Sequence, residues 1–380
     1  MPNPLANLSE EELLCAGCGS DVDDLEIPFP VFRHQDFSTI APRITGCVCV
    51  RCGLLQQLET FPKERLAYRT SLYGRSSQTV HKSSRGETGS PTRSVIQADY
   101  LRKVLPRNAG ACLDIGCFDG ALLRALRAAM PSAVLLGYEV NPLKNIVDLE
   151  NGFEITNSED EAFCQKFDVV IYSHSIMYIE NVESQLRRIQ PYLADNGFIF
   201  IQLPNIEINP LYALMGDQAF IFSEYSLKTM LACAGYDCER HELVEFPKEL
   251  VFLARSKESK NVQNGSPTKS ADHTFLWGQV FEKIHRLRTE ALTAIGLQKV
   301  YVLGTTVFAA FVHELCPDNV LGFVDENQEK VATEFRGLPV FHPASVGRDQ
   351  RVYVGPDISG VLGNRLNQVY QAMFFSKLIE

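Results

Sequence analysis

A glycine-rich turn between two short apolar segments carries the most specific chemical signal in this sequence. The stretch Ala111–Leu123 reads ACLDIGCFDGALL and contains Asp114, Gly116 and Gly120, and the next apolar segment ends at Glu139. Glycines in such a turn remove side chains that would block a ligand, and the helix that follows presents its positive end to it. An acidic residue at the end of the next strand is placed to accept hydrogen bonds from two ribose hydroxyls. The pattern predicts a nucleotide-cofactor site.

The residues of the turn separate two cofactor classes. A dinucleotide site favours Gly-x-Gly-x-x-Gly, whereas here Phe118 holds the middle glycine position and three residues separate Gly116 from Gly120. Asp114 would repel a pyrophosphate, but it suits a cofactor that carries a sulfonium and an ammonium group. The sequence therefore predicts S-adenosylmethionine, with Glu139 on the ribose and with Asp114 and the backbone of the turn on the amino acid end.

Other residues complete the predicted cofactor site. Cys117 and Phe118 face the same loop, and we expect Cys117 to pack rather than to react. A residue of the stretch Asn157–Asp160 is expected to meet the adenine amino group. Ser173 or His174 is expected to lie beneath the methionine part of the cofactor.

The order of an acidic residue, a glycine turn and a second acidic residue resembles the first motif of the class I S-adenosylmethionine-dependent methyltransferases. The alternative is a glycine turn in an unrelated α/β fold. The resemblance implies a Rossmann-like core with a seven-stranded sheet, and it implies an enzyme that transfers a methyl group.

Four cysteines near the start of the chain have the spacing of a metal site. Cys15 and Cys18, like Cys49 and Cys52, form a Cys-x-x-Cys pair followed by glycine. Two such pairs aim four thiolates at one point, which suits tetrahedral zinc and leaves no coordination position for catalysis. We predict a structural zinc ion, with buried thiols that bind no metal as the alternative. Cys47 lies beside the second pair and is a candidate to replace one ligand.

The segment Cys49–Gln56 reads CVRCGLLQ and precedes a methyltransferase-like core and a further α/β segment. This combination resembles the zinc-knuckle sugar C-methyltransferase family, which acts on nucleotide-linked keto-deoxysugars. The resemblance implies structural zinc, S-adenosylmethionine and a nucleotide-linked sugar that is methylated on carbon.

Methylation of a carbon beside a ketone needs a base and a group that stabilises the enolate. The similar family uses a tyrosine before the core and a histidine after a core strand, which correspond to Tyr73 and Tyr178 here. Its Glu-His pair corresponds to Asp217 and Gln218, and Gln218 cannot accept a proton. The base therefore stays open between His174, Tyr178 and Asp217. His174 ends a strand where open α/β sheets place active sites, although it could instead only support the cofactor.

Composition changes divide the chain into segments. Alternating strand and helix patterns before residue 256 predict a mostly parallel sheet covered on both faces. The predicted cofactor site from Asp114 through the glycine turn to Glu139 is called the cradle below. A later strand, the turn at Gly304 and a strand ending in Asp325 repeat its pattern with fewer glycines, which predicts a second nucleotide site or a scaffold beside the acceptor. The predicted domains are a zinc module (1–65), a methyltransferase domain (66–255), a linker (256–272) and a second, Rossmann-like α/β domain (273–380).

The amino-acid composition limits the classes of molecule that this protein is expected to bind. The formal net charge of -10 over 380 residues makes a nucleic acid an unlikely partner, because phosphate binding needs clustered Lys and Arg. The sequence shows no apolar run that would span a membrane and no secretion signal, so we expect a cytoplasmic protein with a small-molecule acceptor. Its oligomeric state is not predicted. The alternatives are an O- or N-methyltransferase of secondary metabolism, a zinc-bearing RNA methyltransferase and a non-catalytic cofactor-binding protein.

Overall fold

The computed structural model contains an amino-terminal antiparallel sheet, a large mixed sheet and a carboxyl-terminal, mainly parallel sheet. Helices cover both faces of the large sheet. The structure describes residues 14–33, 36–57, 92–105, 110–140, 147–148, 152–179, 181–257, 273–355 and 361–376.

The amino-terminal sheet takes one strand from the middle of the chain. The described residues before position 58 form the strands β1 (Val22–Ile27), β2 (Val31–Phe32), β3 (Thr39–Ala41), β4 (Ile44–Cys49) and β5 (Leu55–Gln56). β4 pairs with β1 and β5, and β5 pairs in turn with Phe220–Ile221, all antiparallel. β2 and β3 form a separate two-stranded sheet. The cysteine pairs are therefore attached to the large middle region through backbone hydrogen bonds.

The middle of the chain forms the predicted alternation of strands and helices. Its helices are α1 (Arg93–Val104), α2 (Ala121–Ala129), α3 (Glu159–Ala162), α4 (Val182–Ile189) and α5 (Glu224–Cys233). Its strands are β6 (Ala111–Ile115), β7 (Val134–Tyr138), β8 (Val147–Asp148), β9 (Phe153–Thr156), β10 (Phe167–Ser173), β11 (Leu193–Pro204), β12 (Phe220–Ile221), β13 (Tyr236–His241) and β14 (Glu249–Ser256).

The large sheet has the strand order β13-β14-β11-β10-β6-β7-β9-β8. The strands β9, β7, β6, β10 and β11 are parallel. β14 is antiparallel to both of its neighbours, β11 and β13, so β13 runs in the same direction as the five parallel strands. These are the seven strands that the methyltransferase resemblance implies, and the two-residue β8 adds an edge strand. The chain leaves β6 toward β7 on one side and reaches β10 on the other. The carboxyl ends of β6 and β10 thus flank a topological switch point, where open α/β sheets bind ligands.

Alternate residues of the central strands pack on opposite faces of the sheet. Leu113 and Val170 join the apolar cluster that includes α4 and α5, whereas Cys112 and Val169 join the cluster that includes α1 and α2. Burial on both faces explains why these strands read as nearly continuous apolar runs. The sheet is thereby a rigid support for the loops at its carboxyl edge.

One predicted helix is shorter than expected. The sequence predicts a helix over about 182–193, but α4 ends at Ile189 and a 3₁₀ turn covers Gln190–Tyr192. Pro191 explains the change, because proline has no N–H to donate and its ring disfavours the regular helix. β11 then starts directly at Leu193.

The carboxyl-terminal residues form a second α/β unit. Its helices and strands are α6 (His273–Ile295), β15 (Val300–Leu303), α7 (Val307–Leu315), β16 (Val320–Val324), β17 (Glu334–Phe335), β18 (Leu338–Phe341), β19 (Arg351–Tyr353), α8 (Val361–Val369) and β20 (Met373–Phe375). The order is β17-β18-β16-β15-β19-β20, and all pairs except β17 with β18 are parallel. That this unit is a separate domain, like the other predicted boundaries, stays a prediction.

Helix α6 packs against earlier parts of the chain. Trp277 is buried, and its indole Nε1 donates to the backbone oxygen of Gly53 at 3.0 Å. The same apolar cluster contains Phe32, Leu211 and Phe311. The amino-terminal, middle and carboxyl-terminal segments therefore share a hydrophobic contact.

Candidate functional site

The turn after β6 is held against the end of β7. The amides of Gly116 and Cys117 donate to the backbone oxygen of Tyr138 at 2.8 and 3.3 Å. The amide of Phe118 donates to Glu139 Oε2 at 2.9 Å, and Phe118 has a left-handed backbone with φ 52°. The two predicted parts of the cradle, the turn and the acidic residue, are thus in direct contact.

Close approach explains two of the glycines. A Cβ on Gly116, at φ 76°, would lie 2.5 Å from Ser175 Cβ, so the loops after β6 and β10 touch here. A Cβ on Gly137 would lie 2.5 Å from Cys117 Sγ, so the thiol fills the space left by this glycine. Burial raises the pKa of Cys117 well above its usual range. The structure thus places Cys117 as a packed, protonated thiol that supports the turn.

Asp114 in the cradle has a buried carboxyl oxygen that lacks a hydrogen-bond partner, which a bound ligand could supply. It is only 2% exposed, and its Oδ1 has no hydrogen-bond partner among the described residues. Burial, together with the charges of Glu139 and Asp119, raises its pKa to about 7. A buried carboxylate near two other acidic groups favours a cationic partner. The sulfonium and ammonium groups of S-adenosylmethionine fit this requirement.

The start of α2 and the end of β9 border the same cradle. Gly120, at φ 74°, precedes α2, and Asp119 Oδ1 accepts a hydrogen bond from the amide of Ala121 at 3.0 Å. The amide of Glu139 donates to the backbone oxygen of Thr156 at 3.0 Å. The stretch Asn157–Asp160, predicted to meet the adenine, therefore begins beside Glu139.

Several predicted catalytic residues lie around the loop after β10. Tyr178 lies in the 3₁₀ turn Ile176–Tyr178, and Gln218 Nε2 donates to its hydroxyl oxygen at 3.4 Å. Asp217 precedes Gln218 and so lies next to this contact. Tyr73 lies outside the described residues. The structure thus brings together the positions that correspond to the family's histidine and its Glu-His pair, with Tyr178 and Gln218 in their place.

A polar network that the sequence did not predict contacts His174. Arg93 Nη1 lies 2.7 Å from Glu249 Oε1, and Glu249 Oε2 lies 3.1 Å from His174 Nε2. Gln97 Nε2 donates to Gln202 Oε1 at 2.9 Å and to Ser173 Oγ at 2.7 Å, so Ser173 belongs to the network as well. The sequence signal that could have indicated this network is a polar residue inside an apolar strand, such as Gln202 in β11.

The charges of this network are set by burial and by pairing. Burial lowers the pKa of His174, and the positive charge of Arg93 lowers it further, against the opposing effect of Glu249. Burial alone would raise the pKa of Glu249, but His174 and Arg93 lower it to about 2. Near neutral pH the lowered pKa of Glu249 keeps this carboxylate ionised, and the lowered pKa of His174 favours its neutral form.

The four predicted zinc ligands form one cluster. The Sγ atoms of Cys15, Cys18, Cys49 and Cys52 all lie within 4.8 Å of one another, with two pairs at 3.6 and 3.5 Å. A tetrahedral site with zinc–sulfur bonds of about 2.3 Å has sulfur–sulfur edges of about 3.8 Å, so the donor set fits zinc. Cys47 is not a member; its Sγ donates to Asp24 Oδ1 at 3.7 Å. The suggestion that Cys47 replaces a ligand is therefore not supported by this geometry.

Backbone amides point at the same sulfurs. The amides of Arg51 and Cys52 each lie 3.3 Å from Cys49 Sγ, and the amide of Gly17 lies 3.4 Å from Cys15 Sγ. Such N–H groups stabilise thiolate charge, as a metal site requires. Because four cysteines fill a tetrahedral coordination shell, this site would support the fold and would not take part in chemistry.

We expect the purified, reduced protein to contain about one zinc ion per chain. Cys52→Ser should lose most of this zinc, because Cys52 is fully buried in the cluster. Cys47→Ser is the matched control and should keep the wild-type content. Metal analysis by atomic absorption measures all three proteins. Wild-type protein without zinc, or equal losses in both variants, would contradict the assignment.

Comparison with known proteins gives the class of the middle region. Residues 93–249 match a family model described as a methyltransferase domain. The chain contains a methyltransferase domain. The prediction of an S-adenosylmethionine-dependent enzyme is thereby confirmed at the level of this domain, which holds the cradle, His174 and the start of β14. The narrower resemblance to sugar C-methyltransferases stays a prediction.

Individual relatives of the methyltransferase domain are distant. Trans-aconitate 2-methyltransferase of Klebsiella pneumoniae is 26% identical over 122 residues, which cover 31% of this chain and 48% of the relative. The chain thus spans about half the length of the curated relative it matches. Among solved structures, the CcbJ methyltransferase from Streptomyces caelestis has a TM-score of 0.37 at 13% identity, covering 44% of this chain and 91% of its own. Human N-acetylserotonin methyltransferase has a TM-score of 0.35 at 18% identity, covering 44% and 51%.

The described helices include none that is both long and apolar enough to cross a membrane.

Proposed function

We propose that this protein transfers a methyl group from S-adenosylmethionine to a small-molecule acceptor. The observation that carries the proposal is Asp114, a buried carboxyl inside a methyltransferase domain, with an unsatisfied oxygen and a pKa that the charge of Glu139 helps to raise. A cationic cofactor would satisfy this carboxyl, whereas a pyrophosphate would be repelled by it. The switch point between β6 and β10 supplies the crevice.

The residues of the cradle have distinct roles in this proposal. Glu139 would accept hydrogen bonds from the ribose hydroxyls, and Asp114 would face the ammonium group of the methionine part. The stretch Asn157–Asp160 would border the adenine, and the backbone of the turn after β6 would face the amino acid end of the cofactor. When bound, the cofactor supplies an electrophilic methyl group on sulfur. The chain has to orient the acceptor in line with that group and to exclude water.

We further propose a nucleotide-linked sugar as the acceptor, with methylation on carbon. The cysteine cluster ahead of the methyltransferase domain and the parallel carboxyl-terminal sheet support this narrower proposal, because the resembling family combines these parts. In that sheet, Asp325 Oδ2 accepts a hydrogen bond from Thr305 Oγ1 at 3.1 Å and lies 3.4 Å from Lys330 Nζ. Its acidic strand end is thus already paired within the protein, which favours a scaffold beside the acceptor over a second nucleotide site.

Methylation on oxygen or nitrogen is the second candidate, and a specific observation favours it. Gln218 occupies the position of the family's usual base, lies against Tyr178 and cannot take up a proton. An oxygen or nitrogen nucleophile makes a smaller demand on a base than a carbon acid does. His174, Tyr178 and Asp217 are the base candidates for either reaction.

The acceptor class is tested with S-adenosylmethionine that carries a ¹³C-labelled methyl group. We expect the full chain to label a nucleotide-linked 4-keto sugar, and the carbon chemical shift of the product separates C-methyl from O- or N-methyl groups. Small hydroxy acids, catechols and a ribosomal RNA fragment complete the panel. Label only on an O- or N-acceptor supports the second candidate, and label on RNA contradicts the small-molecule proposal. Tight cofactor binding without label on any acceptor would favour a non-catalytic protein.

A further inference from the structure

Arg336 lies in the turn between β17 and β18, far from the cradle in the sequence, and its side chain is only 10% exposed. Its φ is 52° and that of Gly337 is 76°, as in a two-residue hairpin turn whose central residues are both left-handed. Arginine is unusual in this conformation, which persists where surrounding contacts hold it. The contacts of its guanidinium group are therefore informative.

The guanidinium of Arg336 joins the amino-terminal segment to α7. Nη1 donates to the backbone oxygen of Phe37, and Nη2 donates to Thr39 Oγ1 at 3.1 Å. Nη2 also pairs with Glu314 Oε2, and Nε donates to His313 Nδ1 at 3.0 Å. Thr39 Oγ1 in turn donates to Glu314 Oε2 at 2.8 Å. All three guanidinium nitrogens thus have partners, in a fork that a lysine could not reproduce.

The two-stranded sheet of β2 and β3, called the ribbon below, contacts both Arg336 and the loop 215–218. The guanidinium carbon of Arg336 lies 5.6 Å from the centroid of the Phe32 ring in β2. The backbone oxygen of Phe32 accepts a hydrogen bond from the amide of Gly216 at 2.8 Å. A Cβ on Gly216 would lie 3.0 Å from Ile40 Cδ1, so β3 also packs closely on this glycine.

Loop 215–218 leads into the candidate site. It contains the base candidate Asp217, and Nε2 of its Gln218 donates to the hydroxyl oxygen of Tyr178 at 3.4 Å. The amide of Ala219, which follows the loop, donates to a backbone oxygen of the 3₁₀ turn after β10 at 2.9 Å. The ribbon and this turn therefore hold the two ends of the loop.

We propose that Arg336 is a positioning residue of the methyltransferase site, which acts through the ribbon to hold loop 215–218 and its side chains Asp217 and Gln218. This inference rests on the proposed function, because that function places these two side chains at the acceptor. The carboxyl-terminal unit thereby influences the site through the two strands of the ribbon.

A contact that only stabilises the fold would behave differently. If Arg336 contributed only to the free energy of global unfolding, its loss would speed hydrogen exchange by the same factor at every strongly protected amide. If Arg336 holds the loop through the ribbon, its loss speeds exchange locally, at the amide that binds the ribbon. The ratio of the exchange rates of Gly216 and Ala219 separates the two cases, because Gly216 binds the ribbon and Ala219 binds the turn.

The test measures these two amides in the full chain by ¹⁵N NMR. Arg336→Met removes all the donors, and we expect it to raise the Gly216-to-Ala219 rate ratio about tenfold, since a hydrogen bond from a charged group contributes at least that factor. Arg336→Lys keeps a charge beside Glu314 without the fork, so its ratio should be intermediate. Arg348→Met, at an exposed arginine of the same unit, is the matched control and should keep the wild-type ratio.

The side-chain amide of Gln218 reports on the site itself. Its ¹⁵N–¹H signal, assigned with Gln218→Glu, should shift in Arg336→Met and stay in place in Arg348→Met. An unchanged Gly216-to-Ala219 ratio or an unmoved Gln218 signal in Arg336→Met would overturn the proposal. If Arg336→Met does not fold, Arg336→Lys decides by the same two criteria.

Calorimetry with S-adenosylmethionine on the same samples tests the proposed function separately. Both Arg336 variants should bind the cofactor with wild-type affinity, because the contacts of Arg336 lie outside the cradle. Cofactor binding with an unchanged Gly216-to-Ala219 ratio refutes only the role of Arg336. The expected local exchange in a protein that does not bind S-adenosylmethionine refutes the proposed function.

Discussion

Asp114→Asn is expected to stabilise the cofactor-free protein above pH 7 and to weaken S-adenosylmethionine binding at least about 100-fold. The loss of affinity follows because the cofactor's cationic groups would lose a buried carboxylate, and such pairs cost about 3 to 5 kcal/mol to break. The gain in stability follows because the wild type must bury an ionised carboxyl without a full set of partners. Function and stability therefore oppose each other at this position.

The pH dependence follows from the raised pKa of Asp114. Its folded value of about 7 lies above the ordinary 3.8, so the folded protein holds this proton more tightly than the unfolded chain does. The associated stability is complete below pH 3.8 and is lost as the pH rises through 7, a cost on the order of 4 kcal/mol. Asp114→Asn should lack this loss. Cofactor affinity of the wild type should instead rise through pH 7, as the carboxylate forms.

Urea unfolding at pH 6 and pH 8.5 measures the stability of the Asp114→Asn variant, and calorimetry measures its affinity for S-adenosylmethionine. Asp119→Asn is the control: Asp119 interacts with the same cradle, and asparagine keeps an acceptor for the amide of Ala121. The control should show neither the large gain in stability nor its pH dependence. An Asp114→Asn protein that is less stable than the wild type at pH 8.5 would show that the buried charge is compensated in the free protein.

Glu139→Ala should reduce the affinity for S-adenosylmethionine by about 100-fold. Two ribose hydroxyls would lose a charged acceptor, at about 1.5 kcal/mol for each hydrogen bond. The variant also removes the acceptor of the Phe118 amide, which loosens the turn. Glu139→Gln keeps one acceptor oxygen, so its affinity should lie between those of the wild type and Glu139→Ala.

The remote control for Glu139 is Glu242→Gln, at a side chain that is 85% exposed. Its affinity should equal that of the wild type. If Glu139→Ala bound the cofactor as tightly as Glu242→Gln does, the ribose role of Glu139 would be wrong.

The cradle and the cysteine cluster were predictable because their signals are local. Asp114, the glycine turn and Glu139 lie within one stretch of the sequence, and strand, turn, helix and strand follow one another in the same order in the structure. The pairs Cys15–Cys18 and Cys49–Cys52 each make a tight turn of their own. The fold is needed only to bring the two pairs together, and their identical Cys-x-x-Cys spacing already indicates that they share one metal site.

The network behind His174 was not predictable in the same way. The network joins side chains from three separate elements: Arg93 from α1, Gln202 from β11 and Glu249 from β14. They meet because β11 lies beside β10 and β14 returns antiparallel along the other side of β11. Register decides the contact: Gln202 pairs with Val251, and the start of β14 thereby reaches the carboxyl edge of the sheet. A buried glutamine in an apolar strand shows that a partner exists, but it does not identify that partner.

Contacts between distant segments were missed for a related reason. The pairing of Leu55–Gln56 with Phe220–Ile221 involves two-residue strands, which are too short for a periodic pattern. The contact of Trp277 with Gly53 joins positions on either side of the whole methyltransferase domain. Such contacts depend on how the helices and strands pack against one another. Domain boundaries predicted from amino-acid composition therefore do not reveal them.

The central claim is that the crevice formed by β6, β7 and β10 binds S-adenosylmethionine through Asp114 and Glu139. Calorimetric titration of the wild-type full chain with S-adenosylmethionine, in parallel with NAD⁺, tests it most directly. We predict saturable binding of one S-adenosylmethionine per chain, accompanied by proton release near pH 7, and no binding of NAD⁺. Binding of NAD⁺ in preference, or no heat with S-adenosylmethionine at any pH between 6 and 8.5, would contradict the account.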